Sequence, residues 1–485
     1  MSEGNSAIQA ETAKVTTPKR DLLIYPMGEL AGGIYKAYFS TYISLLMTSI
    51  YLFPIALAGV LESLQSIIGW VAAPAFGLFL DRFYFKKSKF YPWYIIGGAG
   101  GGVVYILIFF LPLVSKDPSK LALLVAGLII IAAILAAAVG QAGIIIYAKL
   151  AKGPKERAYL ASASKFTRDG MKVLVGAIFP IMLVAFTNLF GRDVEAWALT
   201  AVILAGTAII LYFVTAFIGK GSNFEKKQMA MREQQKQQIK KSGVILTLRS
   251  IFTNRALLIA FLAMVASKIF FFFHIMGGAF LWRYYMGNMM MMAAYMTAIS
   301  LTAIIGAVVA VPLFMKFFKD TKKSYVIAFV IQLAIYACSL FIVSQGNPVG
   351  TIVIIAAASF FNGITDSLIM SLFAGATDYA KWKYGTTEVG LTMSCFSLSV
   401  TVAAVVSIGI RTSMLAAGGF DSVALAAGEA VPQGVINALF NMNTLYPMIL
   451  CAAIVLLVGF LYPVNDKKLL KMRAEIDAGK TQDKE

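Results

Sequence analysis

Twelve long apolar runs, separated by short polar connections, constrain this chain more than any other feature. They lie at approximately 23–50, 54–80, 91–114, 120–148, 165–189, 195–219, 256–285, 290–315, 323–344, 349–375, 387–416 and 443–463. Each approaches or exceeds the roughly 18–20 residues that cross a bilayer. Backbone polar groups in lipid must be hydrogen-bonded internally, so the runs are expected to be helices. The alternating pattern of a lipid-facing barrel is absent. Composition agrees: 59% of the 485 residues are hydrophobic and 14% charged, against about 25% charged in a soluble domain. The expected fold is an all-α polytopic membrane protein with twelve transmembrane helices in two six-helix bundles.

The net charge of +18 is explained by where it lies. Arg82, Lys86, Lys87 and Lys89 follow the second run, and Lys149, Lys152, Lys155 and Arg157 follow the fourth. Lys316, Lys319, Lys322 and Lys323 follow the eighth. The alternate connections are nearly free of bases, with Lys116, Lys120 and Arg192 as exceptions. Under the positive-inside rule both termini are expected to be cytoplasmic, in the plasma (bacterial inner) membrane. Residues 1–22 are polar and read as a cytoplasmic tail rather than a signal peptide, and 464–485 form a second tail. Between the bundles, at 23–219 and 256–463, the stretch 220–255 holds nine Lys or Arg against two Glu. It reads either as a surface helix against anionic headgroups or as a solvated linker. No nucleic-acid module accompanies the charge. Cys338, Cys395 and Cys451 are widely spaced and form neither a metal motif nor a disulfide framework. No nucleophile motif or phosphate loop is present, so neither enzyme activity, cofactor nor metal is expected. The expected partners are a small-molecule substrate, a co-transported proton and the lipid bilayer, with the chain a monomer.

A weak internal repeat supports two halves. GLFLDRFYFKKSK follows the second run and PLFMKFFKDTKKSY the eighth. Six plus six related helices is an architecture of secondary transporters, with a substrate site near the midplane. The first copy, Gly77 to Asp81-Arg82 to Lys86-Lys87, resembles the helix 2–3 loop motif of the major facilitator superfamily. Further stretches narrow the resemblance. These are IYPMGELAGGIYKAYF (24–39), GPKERAYLASASKF (153–166), FLWRYYMGN (280–288), TDYAKWKYG (377–385) and LYPVNDKKLLKMRAEIDAG (461–479). In this order they resemble the glycoside–pentoside–hexuronide:cation symporters, the melibiose permease-like family. The resemblance implies the major facilitator fold and transport by alternating access. It also implies that Asp378, in a loop between helices 10 and 11, pairs with Arg157 as a cytoplasmic gate, with Lys383, Asp81 and Arg82 in the same set. Lys165 matches a sugar-binding Arg of the family.

Departures from the pattern are informative. The family's two cation-site acids on helix 2 fall at Gly69 and Ala73 in SIIGWVAAPAFG (66–77). Its helix 11 Lys falls near Thr401, its helix 4 Asp near Gly140 beside Gln141, and its helix 1 Asp at Gly33. A hard cation needs oxygen ligands, which Gly69 and Ala73 do not supply. Sodium coupling through that site is not expected.

An ionisable residue inside a membrane helix is a functional candidate, because burying it costs roughly 2.5–3.5 kcal/mol even on insertion scales. Glu29, Glu62, His274 and Asp366 are the candidates for proton coupling. His274, the only histidine, suits a proton switch, and a packing role in FFFFHIMGG suits it as well. Lys36, Lys165, Gln141, Lys268, Trp282 and Ser397 are the candidates for substrate contact. Arg168, Lys172 and Arg283 join the basic set, with headgroup snorkelling as the alternative for Lys165 and Arg168 and an interfacial position as that for Arg283. Bases outnumber acids in this set, which favours an anionic solute. The expected function is secondary active transport of a sugar, glycoside, uronide or related organic anion. An uncoupled facilitator or organic-anion exchanger on the same fold is the alternative.

Overall fold

A computed structural model describes residues 19–82, 91–115, 117–150, 154–219, 254–384 and 389–477. Every regular element among them is helical, as lipid demands of backbone amides. The helices are α1 Lys19–Ser49, α2 Ile55–Arg82, α3 Tyr94–Val114, α4 Pro118–Leu150, α5 Pro154–Phe190 and α6 Asp193–Gly219. After the basic stretch, of which 220–253 lies outside the described residues, come α7 Arg255–Tyr285, α8 Met291–Phe318 and α9 Thr321–Ser344. Then follow α10 Pro348–Tyr384, α11 Val389–Ala417, a short turn of helix at Ser422–Ala426, α12 Gln433–Leu461 and α13 Asp466–Asp477.

Among the described residues, eleven helices, α2 to α12, are long and apolar enough to cross a membrane. α1 has the length, at 31 residues, but Glu29, Lys36 and its tyrosines lower its hydropathy. Two stretches expected as loops are helical. α5 begins at Pro154, not near 165, so KERAYLASAS forms its opening turns; proline is well suited to a first helical position. α10 runs on to Tyr384, so TDYAKWK is its final two turns, with Lys381 and Lys383 at the negative end of the helix dipole. Hydropathy marks where a helix leaves the bilayer, not where its hydrogen bonding stops. α12 likewise starts at Gln433, ten residues earlier than its apolar run, and is broken at Thr444 (φ −130°, ψ −71°).

The chain forms two compact units. The first comprises Met1–Leu46 and Leu64–Gln238; the second comprises Met47–Ser63 and Ile239–Glu485. The short stretch 47–63, at the α1–α2 turn, thus groups with the second unit, and α2 is divided after Ser63. The first unit has an aromatic core in which Tyr42 stacks on Phe179 at 4.0 Å, with Trp197 at its edge. In the second unit α8 crosses α10 with backbones in contact: a Cβ on Gly306 would lie 1.9 Å from the Phe360 carbonyl oxygen, and one on Gly363 1.9 Å from that of Ala303. Only glycine permits this approach, the usual device where helices have no hydrophobic drive to associate in lipid.

Candidate functional site

In the first unit the site is built on α1. Glu29 accepts a hydrogen bond from Arg168 of α5 at 3.2 Å and from the Tyr25 hydroxyl at 3.2 Å. Its partner is one-third exposed and the carboxylate one-fifth, so the pair is only partly desolvated. The Tyr94 ring and Gly143 close around the same carboxylate. Lys36 lies two turns along α1 and is exposed. Gly33, between them, packs against α5: a Cβ there would sit 2.8 Å from the Arg168 carbonyl oxygen. The aspartate that the resemblance places at this position has no room. Gly69 and Gly140 differ, since nothing lies within 4 Å of a Cβ at either. Those two positions have space for a side chain but supply no ligand atom. Gln141 is half-buried. The side chains of Lys165, Arg157, Asp81 and Arg82 fall outside the described residues.

In the second unit Lys268 of α7 bonds both carboxylate oxygens of Asp366 on α10, at 2.5 and 2.6 Å. The ammonium also lies 4.6 Å from the Phe271 ring centre. Asp366 keeps 30% of its side chain open while Lys268 keeps 11%. This is a charge-assisted pair with one accessible face. Ser397 of α11 is exposed, whereas Trp282 is fully buried beside Tyr295 and presents no surface to a solute in this conformation.

His274, two turns beyond Lys268 on α7, is buried in a separate polar network. Asn443 donates through Nδ2 to the Leu439 carbonyl at 2.8 Å, which turns its Oδ1 toward His274 Nδ1 at 3.1 Å. That fixes Nδ1 as the protonated nitrogen and leaves Nε2 to accept from the Tyr336 hydroxyl at 2.8 Å. The ring also stacks on Tyr336. The network spans α7, α9 and the break in α12.

Glu62 accepts a hydrogen bond from Arg411 of α11, both residues in the second unit. Their side chains are 3% and 2% exposed, making this the most deeply buried ion pair among the described residues. Arg411 belongs to no motif, and reading the chain for motifs passes over it. The available signal is a single guanidinium inside the apolar run VVSIGIRTSML. The charge cluster at the end of α10 is bonded to α13. Arg473 holds Asp378 at 2.7–2.8 Å, and the Trp382 indole donates to Glu475 at 2.5 Å. Lys383 is exposed and reaches the Tyr379 hydroxyl at 3.4 Å. Asp378 therefore bonds Arg473 here; its expected partner, the Arg157 side chain, lies outside the described residues.

A family profile described as MFS/sugar transport protein matches residues 24–466. The chain belongs to this family. As a member of it, the protein is a secondary transporter rather than an enzyme, and a multi-pass membrane protein. It is similar to an uncharacterized symporter, YjmB, of Bacillus subtilis (strain 168), with 24% identity over 479 residues and 96% of each chain covered. Its fold is that of solved transporters. A bacterial homolog of the human lysosomal transporter Spinster, in an inward-facing and unoccupied conformation, matches with TM-score 0.64 and 12% identity, over 96% of this chain and 99% of that one. The D-xylose-proton symporter matches with TM-score 0.64 and 11% identity, over 92% and 98%. The nucleoside transporter NupG matches with TM-score 0.60 and 12% identity, over 91% and 99%.

Proposed function

We propose that this family member moves a small polar solute, a sugar, glycoside, uronide or related organic anion, by alternating access, coupled to protons and not to sodium through α2. Both termini are taken to be cytoplasmic. The observation that carries the coupling is the Lys268–Asp366 pair, a carboxylate held by an ammonium between two helices of membrane-spanning length, with one face open. Protonation of Asp366 removes the charge that holds Lys268. The freed ammonium then offers three donors to a hydroxyl or carboxylate of the solute. Loss of the proton restores the pair and expels the solute from Lys268. Binding of proton and solute are thereby linked through one side chain. Glu29 with Arg168 offers a similar pair in the first unit, its base more exposed and its carboxylate less so. At Gly69 and Ala73 no carboxylate stands where the resemblance places cation ligands, which supports the exclusion of sodium there.

The test is uptake into proteoliposomes, using a panel of radiolabelled hexoses, pentoses, glycosides and glucuronides. Accumulation should follow an imposed proton gradient and disappear in Asp366→Asn, while a sodium gradient alone should drive none. Sodium-driven accumulation would overturn the reading. Equilibration without accumulation under either gradient would favour the facilitator instead.

A further inference from the structure

The stretch Met47–Ser63 connects α1 to the body of α2, yet it packs within the second unit. Four contacts hold it. Ser49 Oγ hydrogen-bonds the Tyr284 hydroxyl at 3.1 Å, and Ser422 Oγ donates to the Phe53 carbonyl at 2.6 Å. Gly59 lies against Thr412, where a Cβ would come within 2.4 Å of the Thr412 methyl group. One turn further, Glu62 takes the Arg411 guanidinium. The turn itself is held in an unfavourable shape, for Leu52 has φ +57°, a region that bulky L-residues rarely enter. Such backbone persists only where its surroundings over-determine it.

Burial decides what the ion pair can do. Two desolvated charges attract strongly while no water reaches them and weakly once it does. Desolvating them offsets most of that attraction, so replacing both charges by neutral groups of similar volume is often harmless to folding. A pair of this kind adds little net stability but separates bound from released sharply. We propose that Glu62–Arg411 is a latch fixing the 47–63 stretch on α11 in one end state of the transport cycle, and that the stretch leaves α11 in the other. The inference rests on the alternating-access reading, but its test needs no substrate, so it can fail while proton-driven uptake stands, and the converse.

The experiment uses the full chain in detergent, with Cys338→Ser and Ser422→Cys. N-ethylmaleimide labelling is followed by peptide mass spectrometry. The introduced thiol is covered by the Phe53 turn, and buried Cys451 is the internal control. Adding Glu62→Gln with Arg411→Met should label the introduced thiol about tenfold faster, with Cys451 unchanged, because local opening governs the rate. Exchanging the charges, Glu62→Arg with Arg411→Glu, should return the rate toward its starting value. Should the neutral pair not fold, Arg411→Lys, which keeps the charge and loses the planar fork, should still give an acceleration of about two- to fivefold. Unchanged labelling at the introduced thiol overturns the latch. Equal acceleration at Cys451 also overturns it, since the pair would then be holding the whole fold together.

Discussion

Within the second unit, Arg411 and Glu62 are 2% and 3% exposed, whereas Asp366, bonded to Lys268, keeps 30% of its side chain open. Both pairs join distant helices inside an apolar protein, and the sequence marks all four residues only as charges in apolar runs. Their surroundings separate them. The closed pair cannot exchange partners with water or solute unless helices part, so it responds to conformation. The open one keeps an accessible face with the helices in place, which is what the proposed coupling role requires of it. The first-unit pair, Arg168 at 37% and Glu29 at 20% exposed, belongs with the second kind.

The sharpest way to break this contrast is to remove one partner from each pair. Arg411→Met alone leaves Glu62 buried without its cation and should cost roughly 3–5 kcal/mol, read as a large fall in the thermal unfolding temperature in detergent. A change no larger than for the other pairs would erase the distinction. His274→Phe preserves ring volume but strands the Tyr336 hydroxyl and Asn443 Oδ1, which should cost about 1–3 kcal/mol. Proton-driven accumulation should persist in that variant; its selective loss would move the coupling role from Asp366 to His274. For Asp366→Asn the amide oxygen still accepts from Lys268, so stability should fall by about 1–2 kcal/mol while gradient-driven accumulation is lost and solute exchange survives. Glu29→Gln, whose partner Arg168 is 37% exposed, should change stability by less than about 1 kcal/mol. The smallest effect is expected for Arg473→Ala at the end of α10, within about 0.5 kcal/mol. A pronounced transport defect there would show that the α13 contact with Asp378 matters to the cycle.

Particular residues show how far sequence reading reaches. Glu29, Glu62, His274 and Asp366 stand out in the chain because an ionisable group amid apolar residues is conspicuous. Their partners do not follow from it. Glu29 meets Arg168 at a separation of 139 residues, and Lys268 meets Asp366 at 98. Asp378 is legible as part of a charged cluster, but its bond to Arg473, 95 residues on, is not. In the sequence His274 reads more readily as packing than as a switch, but its partners Asn443 and Tyr336 are not legible there. TDYAKWK looks like a loop because hydropathy falls there, although its hydrogen bonds continue the helix.

What the sequence by itself determined is the environment. Apolar runs of membrane-spanning length dictate helices, since lipid offers backbone amides no other partner, and the motifs along the chain dictate the family. Which charge meets which, and how much water each retains, was decided only by the tertiary structure. Periodicity and composition act over one helix, while an ion pair such as Glu62–Arg411 joins residues 349 positions apart. Its desolvation depends on the side chains of several helices at once, and no local pattern encodes that.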